Sequence, residues 1–183
     1  MERLESCDEI LDFWFVETPP AQHWKKDAVF DGLITSRFAK LHARAVRCEL
    51  FAWRSSARGR LAEIILLDQF SRNMFRDTAQ SFAHDPQALV LAQEAVSLGV
   101  DQQIDAKQRS FFYMPYMHSE SLLIHQQAVE LFRRNKLTDN LRVEMKHKAI
   151  LERFGRYPHR NAQLGRQSTE EELLLLQQPG SSF

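Results

Sequence analysis

Leu61-Ala62-Glu63-Ile64-Ile65-Leu66-Leu67-Asp68-Gln69-Phe70-Ser71-Arg72-Asn73 is the stretch that settles the fold class. Its apolar residues, at Leu61, Ile64, Ile65, Leu66 and Leu67, fill nearly every side of a helix and show no strand alternation. A helix from roughly Gly59 to Phe70 that is apolar almost all round belongs in the middle of a domain. Its end is polar. Asp68 and Arg72 stand four apart, as do Gln69 and Asn73, so two polar pairs line neighbouring stripes. Polar groups so close to a buried helix need hydrogen-bond partners or cost heavily. An ion pair closing the helix end meets that need, and so does a ligand facing Asp68, Arg72 and Asn73.

Helices continue on both sides. With six glycines and six prolines in 183 residues, and no alternating segment, the chain reads as helical throughout. The first helix spans about Asp8 to Val16 and is broken by Thr18-Pro19-Pro20. From Asp27 to about Cys48, Phe30, Ile34, Phe38, Leu41 and Ala45 recur at threes and fours, an amphipathic pattern. Asp85-Pro86 sets a capping acid before a proline, and the helix carries Leu89, Ala92 and Val96 to a stop at Gly99. Asp105 caps a helix through Phe111, Phe112 and Tyr113 that Pro115 kinks or ends. The next covers about His118 to Arg134, with Leu122, Val129 and Phe132 inward. Thr138 or Asp139 starts another, which runs to Phe154 with Gly155 at its end. Ser168-Thr169-Glu170-Glu171 has capping-box spacing ahead of Leu173 to Leu176. The reading is an all-α fold of about seven or eight helices in antiparallel hairpins, one domain over residues 1–183.

Composition removes several classes of function. Lysine and arginine number twenty-four, and so do aspartate and glutamate, so the formal charge is zero. Nucleic-acid binders usually carry a basic excess, and no such partner is expected. Uninterrupted apolar runs are short, as in Ile64 to Leu67. A membrane span needs about twenty, so no membrane partner is expected either. Met1 to Asp8 shows neither the basic patch nor the apolar stretch of a secretory signal. Cys7 and Cys48 have no metal-ligand spacing, and without an export signal a disulfide between them is not expected. The cytoplasm is the expected place. There is no nucleophile elbow, glycine-rich phosphate loop or dinucleotide fingerprint, and no cofactor is expected.

Three segments hold the residues that can do chemistry. The most distinctive runs Arg153-Phe154-Gly155-Arg156-Tyr157-Pro158-His159-Arg160-Asn161-Ala162-Gln163-Leu164-Gly165-Arg166. Arg72 adds a fifth guanidinium, whereas the acids in the converging segments are Asp68 and Glu120. The positive charge left over either meets Glu63, Glu152, Glu170 or solvent, or holds a phosphate or carboxylate by the forked bonds that arginine makes better than lysine. His118-Ser119-Glu120 is placed at the first turn of a helix, where Ser119 reads as a cap. The functional alternative makes His118 a general acid or base and Glu120 its orienting partner. His125 and His147 fall on apolar stripes and read as satisfied core histidines. His118, His147 and His159 with Asp68 or Glu120 lack the local spacing of a metal site, so no metal is expected.

Asp12-Phe13-Trp14-Phe15, Leu67 through Arg76, Met114-Pro115-Tyr116-Met117-His118-Ser119-Glu120 and Arg153 through Arg166 with Ser168-Thr169-Glu170-Glu171 together resemble one bacterial family, domain of unknown function 924. The resemblance covers nearly the whole chain and implies a helical array similar to tetratricopeptide repeats, without that repeat's own pattern. Ser71 stands where the family usually has proline, and Asp77 where it often has glycine. The resemblance implies no activity.

The leading expectation is a pocket for a small anionic ligand. Arg72, Arg156, Arg160 and Arg166 supply its charge, Asn73, His118 and His159 orient the ligand, and Asp68 and Asn161 line the site. The second is a hydrolase-type enzyme using His118 or His159 as the acid–base group beside Asp68 or Glu120. The third is a scaffold for a partner peptide, with a groove lined by Trp24, Trp53 or Phe112. The residues set no oligomeric state.

Overall fold

The computed structural model describes residues 6–181, and among them there is helix and no strand. The reading of Met1 to Glu5, and the final two residues of the chain, lie outside the described residues. Ser6 opens α1 (Cys7–Asp12) by accepting from the Asp8 amide, and a wide π turn, Phe13–Glu17, carries the helix to its break at Thr18. Asp27 caps α2 (Ala28–Val46), and Phe30, Ile34, Phe38, Leu41 and Ala45 are all buried, as their spacing requires. The central helix starts earlier than Gly59 and ends later than Phe70. Ser56 caps α3 (Ala57–Ile65), which continues through a second π turn, Leu66–Phe70, into α4 (Ser71–Met74).

Several boundaries differ from the sequence reading, each for a local reason. In α5 (Asp85–Ser97), His84 takes the cap position, and the Asp85 carboxylate is drawn away by arginines. The inward face of α5 is Ala88, Leu91, Ala92 and Ala95, while Leu89 and Val96 are half-buried. Asp105 caps α6 (Ala106–Met117) as expected, but Pro115 does not stop the helix. A proline in the last turn forfeits one backbone bond, and the ring is buried in return. His118 to Ser121 therefore form the connection to α7 (Leu122–Asn135), not the first turn of a helix, and Leu122 is exposed rather than inward. Leu137 stands at the cap of α8 (Thr138–Phe154), which ends at Gly155 with φ of 69°. The capping box of α9 (Glu170–Leu176) is Thr169 with Glu172, one residue beyond the expected pair.

Packing follows chain order. The connections between α6, α7 and α8 are too short for a crossover, so these neighbours lie antiparallel, and α5 packs on α6. Helix α3 touches α1, α5 and α6. The aromatic rings of Phe13, Phe38 and Phe70 meet at centroid distances of 4.9 and 5.1 Å in a core that continues to Phe132. No helix among the described residues is long and apolar enough to cross a membrane.

Gly59 lets the turn before α3 lie directly on the helix. A Cβ added there would stand 2.1 Å from the Trp53 carbonyl oxygen and 2.8 Å from its carbon, both backbone atoms. Helix propensity alone favours alanine over glycine by about 1 kcal/mol. The clash reverses the sign, and Gly59→Ala is expected to destabilise the protein by about 1–3 kcal/mol, read as a lower urea midpoint. A raised midpoint would show that the approach is looser than these distances.

Candidate acid–base site

The π turn at Leu66–Phe70 slips an extra residue into the helical register, a distortion frequent where a helix presents functional groups. It buries Asp68 and Gln69 side by side. Asp68 Oδ1 lies 2.7 Å from His118 Nδ1 and 3.1 Å from Arg72 Nη1, and its Oδ2 accepts from Gln69 Nε2 at 2.6 Å. Burial pushes the Asp68 pKa up, but His118 and Arg72 more than offset it and hold the carboxyl well below its usual range. For His118, burial and the Arg72 charge pull the pKa below its ordinary value against the opposing pull of Asp68. Near neutral pH this makes His118 an uncharged imidazole whose Nδ1–H donates to Asp68. The contact with Asp68 is made through Nδ1, and the side chain keeps 15% exposure.

Two guanidinium groups stand beside this pair. Arg72 donates to both Asp85 oxygens at 2.9 and 3.0 Å and to the Asp68 carbonyl at 2.7 Å. Arg160, 6% exposed, donates to Asp85 Oδ2 at 3.2 Å and to the His118 carbonyl at 2.9 Å. Both lie over the Phe82 ring, at 5.7 and 4.5 Å from its centroid. The buried Arg160 Nε has no partner among the described residues. Burial and the like charge of Arg72 lower the Arg160 pKa, while Arg72 itself is raised, because Asp85 and Asp68 outweigh its burial.

The remaining candidates divide among separate clamps. Glu120 does not orient His118; it accepts from the Tyr157 amide at 2.7 Å and from Arg166 at 2.7 and 2.9 Å. Burial raises the Glu120 pKa, but Arg166 and the Tyr157 amide outweigh it and leave it lowered. Asn73 leaves the cluster and donates to Asp31, which Arg76 also holds. Arg156 forks onto Glu172 at 2.7 and 2.8 Å, and Asn161 donates to Ser168 and Glu172, so both fasten α9. His159 lies against Tyr157 at 5.4 Å between centroids, and its pKa is pulled down to about 3 by burial, Arg160 and Arg72. His125 is a core histidine, 2.7 Å from the buried Glu144, and His147 is buried with Nδ1 beside the Val143 carbonyl.

The expected excess of arginine over acid is therefore corrected. Asp85 and Glu172, which stood outside the converging segments as read, neutralise Arg72 and Arg156, and Arg166 has Glu120. Arg160 alone among these relies on a carboxylate that another arginine holds more tightly. Among the described residues no group of three or more histidine, cysteine, aspartate or glutamate side chains is placed to hold a metal ion. Of the aromatic residues expected to line a peptide groove, Phe112 is in the core, Trp53 is half-buried and Trp24 is exposed. Two open surface hollows, one lined by Phe13, Val29 and Leu33 and the other by Val96, Tyr116 and Leu123, lie apart from the polar cluster.

Fold and site thus define a helical protein with a carboxylate, an imidazole and two guanidinium groups enclosed between its middle helices and the loop after α8. A family model described as "Bacterial protein of unknown function (DUF924)" matches residues 10–180, and the chain belongs to that family. It is similar to a solved structure of a protein of unknown function, ATU0120 from Agrobacterium tumefaciens. The two are 41% identical, with a TM-score of 0.88 over 93% of this chain and 96% of that one. No curated protein matches.

Proposed function

We propose that His118 is the proton-transferring group of a hydrolase-type centre, with Asp68 as the residue that positions it. The observation that carries this reading is the 2.7 Å contact from His118 Nδ1 to the fully buried Asp68 carboxylate, which His118 and Arg72 hold below its usual pKa range. An imidazole fixed in that tautomer presents Nε2 as a base toward water or a substrate hydroxyl, and the imidazolium that forms is stabilised by Asp68. Arg160 and Arg72 are suited to a small anionic group on the substrate, a phosphate or carboxylate.

A second reading, binding of a small anion without catalysis, is favoured by one feature: the buried Arg160 Nε without a partner among the described residues. The unpaired Cys7 and Cys48 support a cytoplasmic setting for either reading. The neighbour-on-neighbour packing from α5 to α8 supports the tetratricopeptide-like arrangement that the resemblance implies.

Turnover of p-nitrophenyl phosphate and p-nitrophenyl acetate tests the acid–base reading. His118→Gln and Asp68→Asn, each folded by circular dichroism, are expected to lose about 100-fold or more in kcat/KM. The wild-type rate is expected to fall as pH drops through the His118 pKa, below 6.5. Equal rates in wild type and His118→Gln, or no turnover of either ester class by wild type, would sink it.

A further inference from the structure

Asp85 occupies a position that its place in the sequence does not explain. At the start of α5 its carboxylate has no capping bond to make, and it lies instead between two arginines from distant parts of the chain. Arg72 grips both of its oxygens, and Arg160 takes a second bond to one of them at 3.2 Å. This is the geometry in which a fork of guanidinium groups receives a carboxylate or a phosphate from outside. The site is built: Arg160 is 6% exposed, Phe82 lies beneath both planar groups, and Arg160 Nε still lacks a partner among the described residues. Asp85 keeps 13% side-chain exposure and stands at a helix start, so it can turn outward without unpacking the core.

We infer that Asp85 is an internal occupant of the anion site, and that a small oxyanion, carboxylate or phosphate, binds by displacing it from between Arg72 and Arg160. The inference rests on the anionic-substrate part of the reading above and supplies its regulation. The exchange conserves local charge. A monoanion replaces the departing carboxylate, and Asp68 remains 3.1 Å from Arg72. It also explains how a cluster whose arginines are matched by acids can still be a ligand site. The apparent affinity of such a site is reduced by the fraction of molecules in which Asp85 has left.

The experiment follows melting temperature against formate and against inorganic phosphate, with chloride at matched ionic strength as the control. In Asp85→Ala, either oxyanion is expected to raise the melting temperature saturably, at a concentration at least about tenfold lower than wild type requires. The relative response to formate and phosphate tells the carboxylate from the phosphate source. Adding Arg160→Gln to that variant is expected to abolish the response. Asp85→Asn, closer in shape, carries the same test if the alanine variant does not fold. Equal responses in wild type and variant, or none in either, overturn the inference. These titrations read binding alone, so Asp85 variants that bind formate alongside His118 variants of unchanged turnover would leave this inference standing and remove the acid–base reading.

Discussion

Asp68→Ala is expected to lower the free energy of unfolding by about 3–5 kcal/mol, because it leaves buried partners without their counter-charge. Asp68 has no exposure and receives donors from His118, Arg72 and Gln69. Its removal strands the Gln69 amide and the His118 Nδ1–H, and it leaves Arg72 to Asp85 alone among carboxylates. A change at an exposed ion pair such as Glu130 with Arg133 is expected to cost no more than about 1 kcal/mol. Urea denaturation of the two variants checks the contrast. Similar losses in both would mean that the Asp68 cluster adds no more than a surface pair does.

Acid is expected to weaken the fold well before the carboxylates titrate. His147 and His159 are pulled down to about 3, and His42 to about 4, in each case first by burial. The sign follows from which state binds the proton. Below about 6.5 an unfolded chain protonates these rings, while the folded chain keeps them neutral. Their contribution is therefore fully present above 6.5 and is lost as pH falls toward 4 and 3. Each group costs about 1.4 kcal/mol per pH unit through that window. By pH 5 the loss from the three is on the order of 4–6 kcal/mol, comparable with the whole stability of many domains. Below about 4.5 the lowered carboxyls of Asp68, Glu120 and Glu172 act in the same direction. Urea midpoints measured from pH 7.5 to 5 check this, and a flat profile would contradict it.

Features carried by neighbouring residues could be read from the sequence. The stripe from Phe30 to Ala45, the cap at Asp105 and the left-handed stop at Gly155 each depend on residues within a turn or two, and the structure has them. Asp77 takes a left-handed φ of 60° without being glycine. The π turn at Leu66–Phe70 could not be read, since a single inserted residue leaves the apolar pattern almost unchanged. Partner choice across the chain was the larger gap. The sequence leaves Asp68 and Glu120 both open as partners of His118, and it is Asp68, fifty residues away, that the ring meets. Asp85 has the sequence position of a cap because Pro86 follows it, and Glu172 lies one residue beyond the box that the spacing marks out. The charge balance followed these two acids. Nothing local distinguishes a carboxylate that caps a helix from one that crosses to an arginine on another element.

Protonation of His118 by nitrogen-15 NMR, followed from pH 8 to 4 in the intact protein, tests the centre most directly. The ring is expected to carry its proton on Nδ1 with a bare Nε2 at pH 7, to titrate below 6.5, and to lose its tautomer preference in Asp68→Asn. A ring charged at pH 7, or protonated on Nε2, would contradict that expectation.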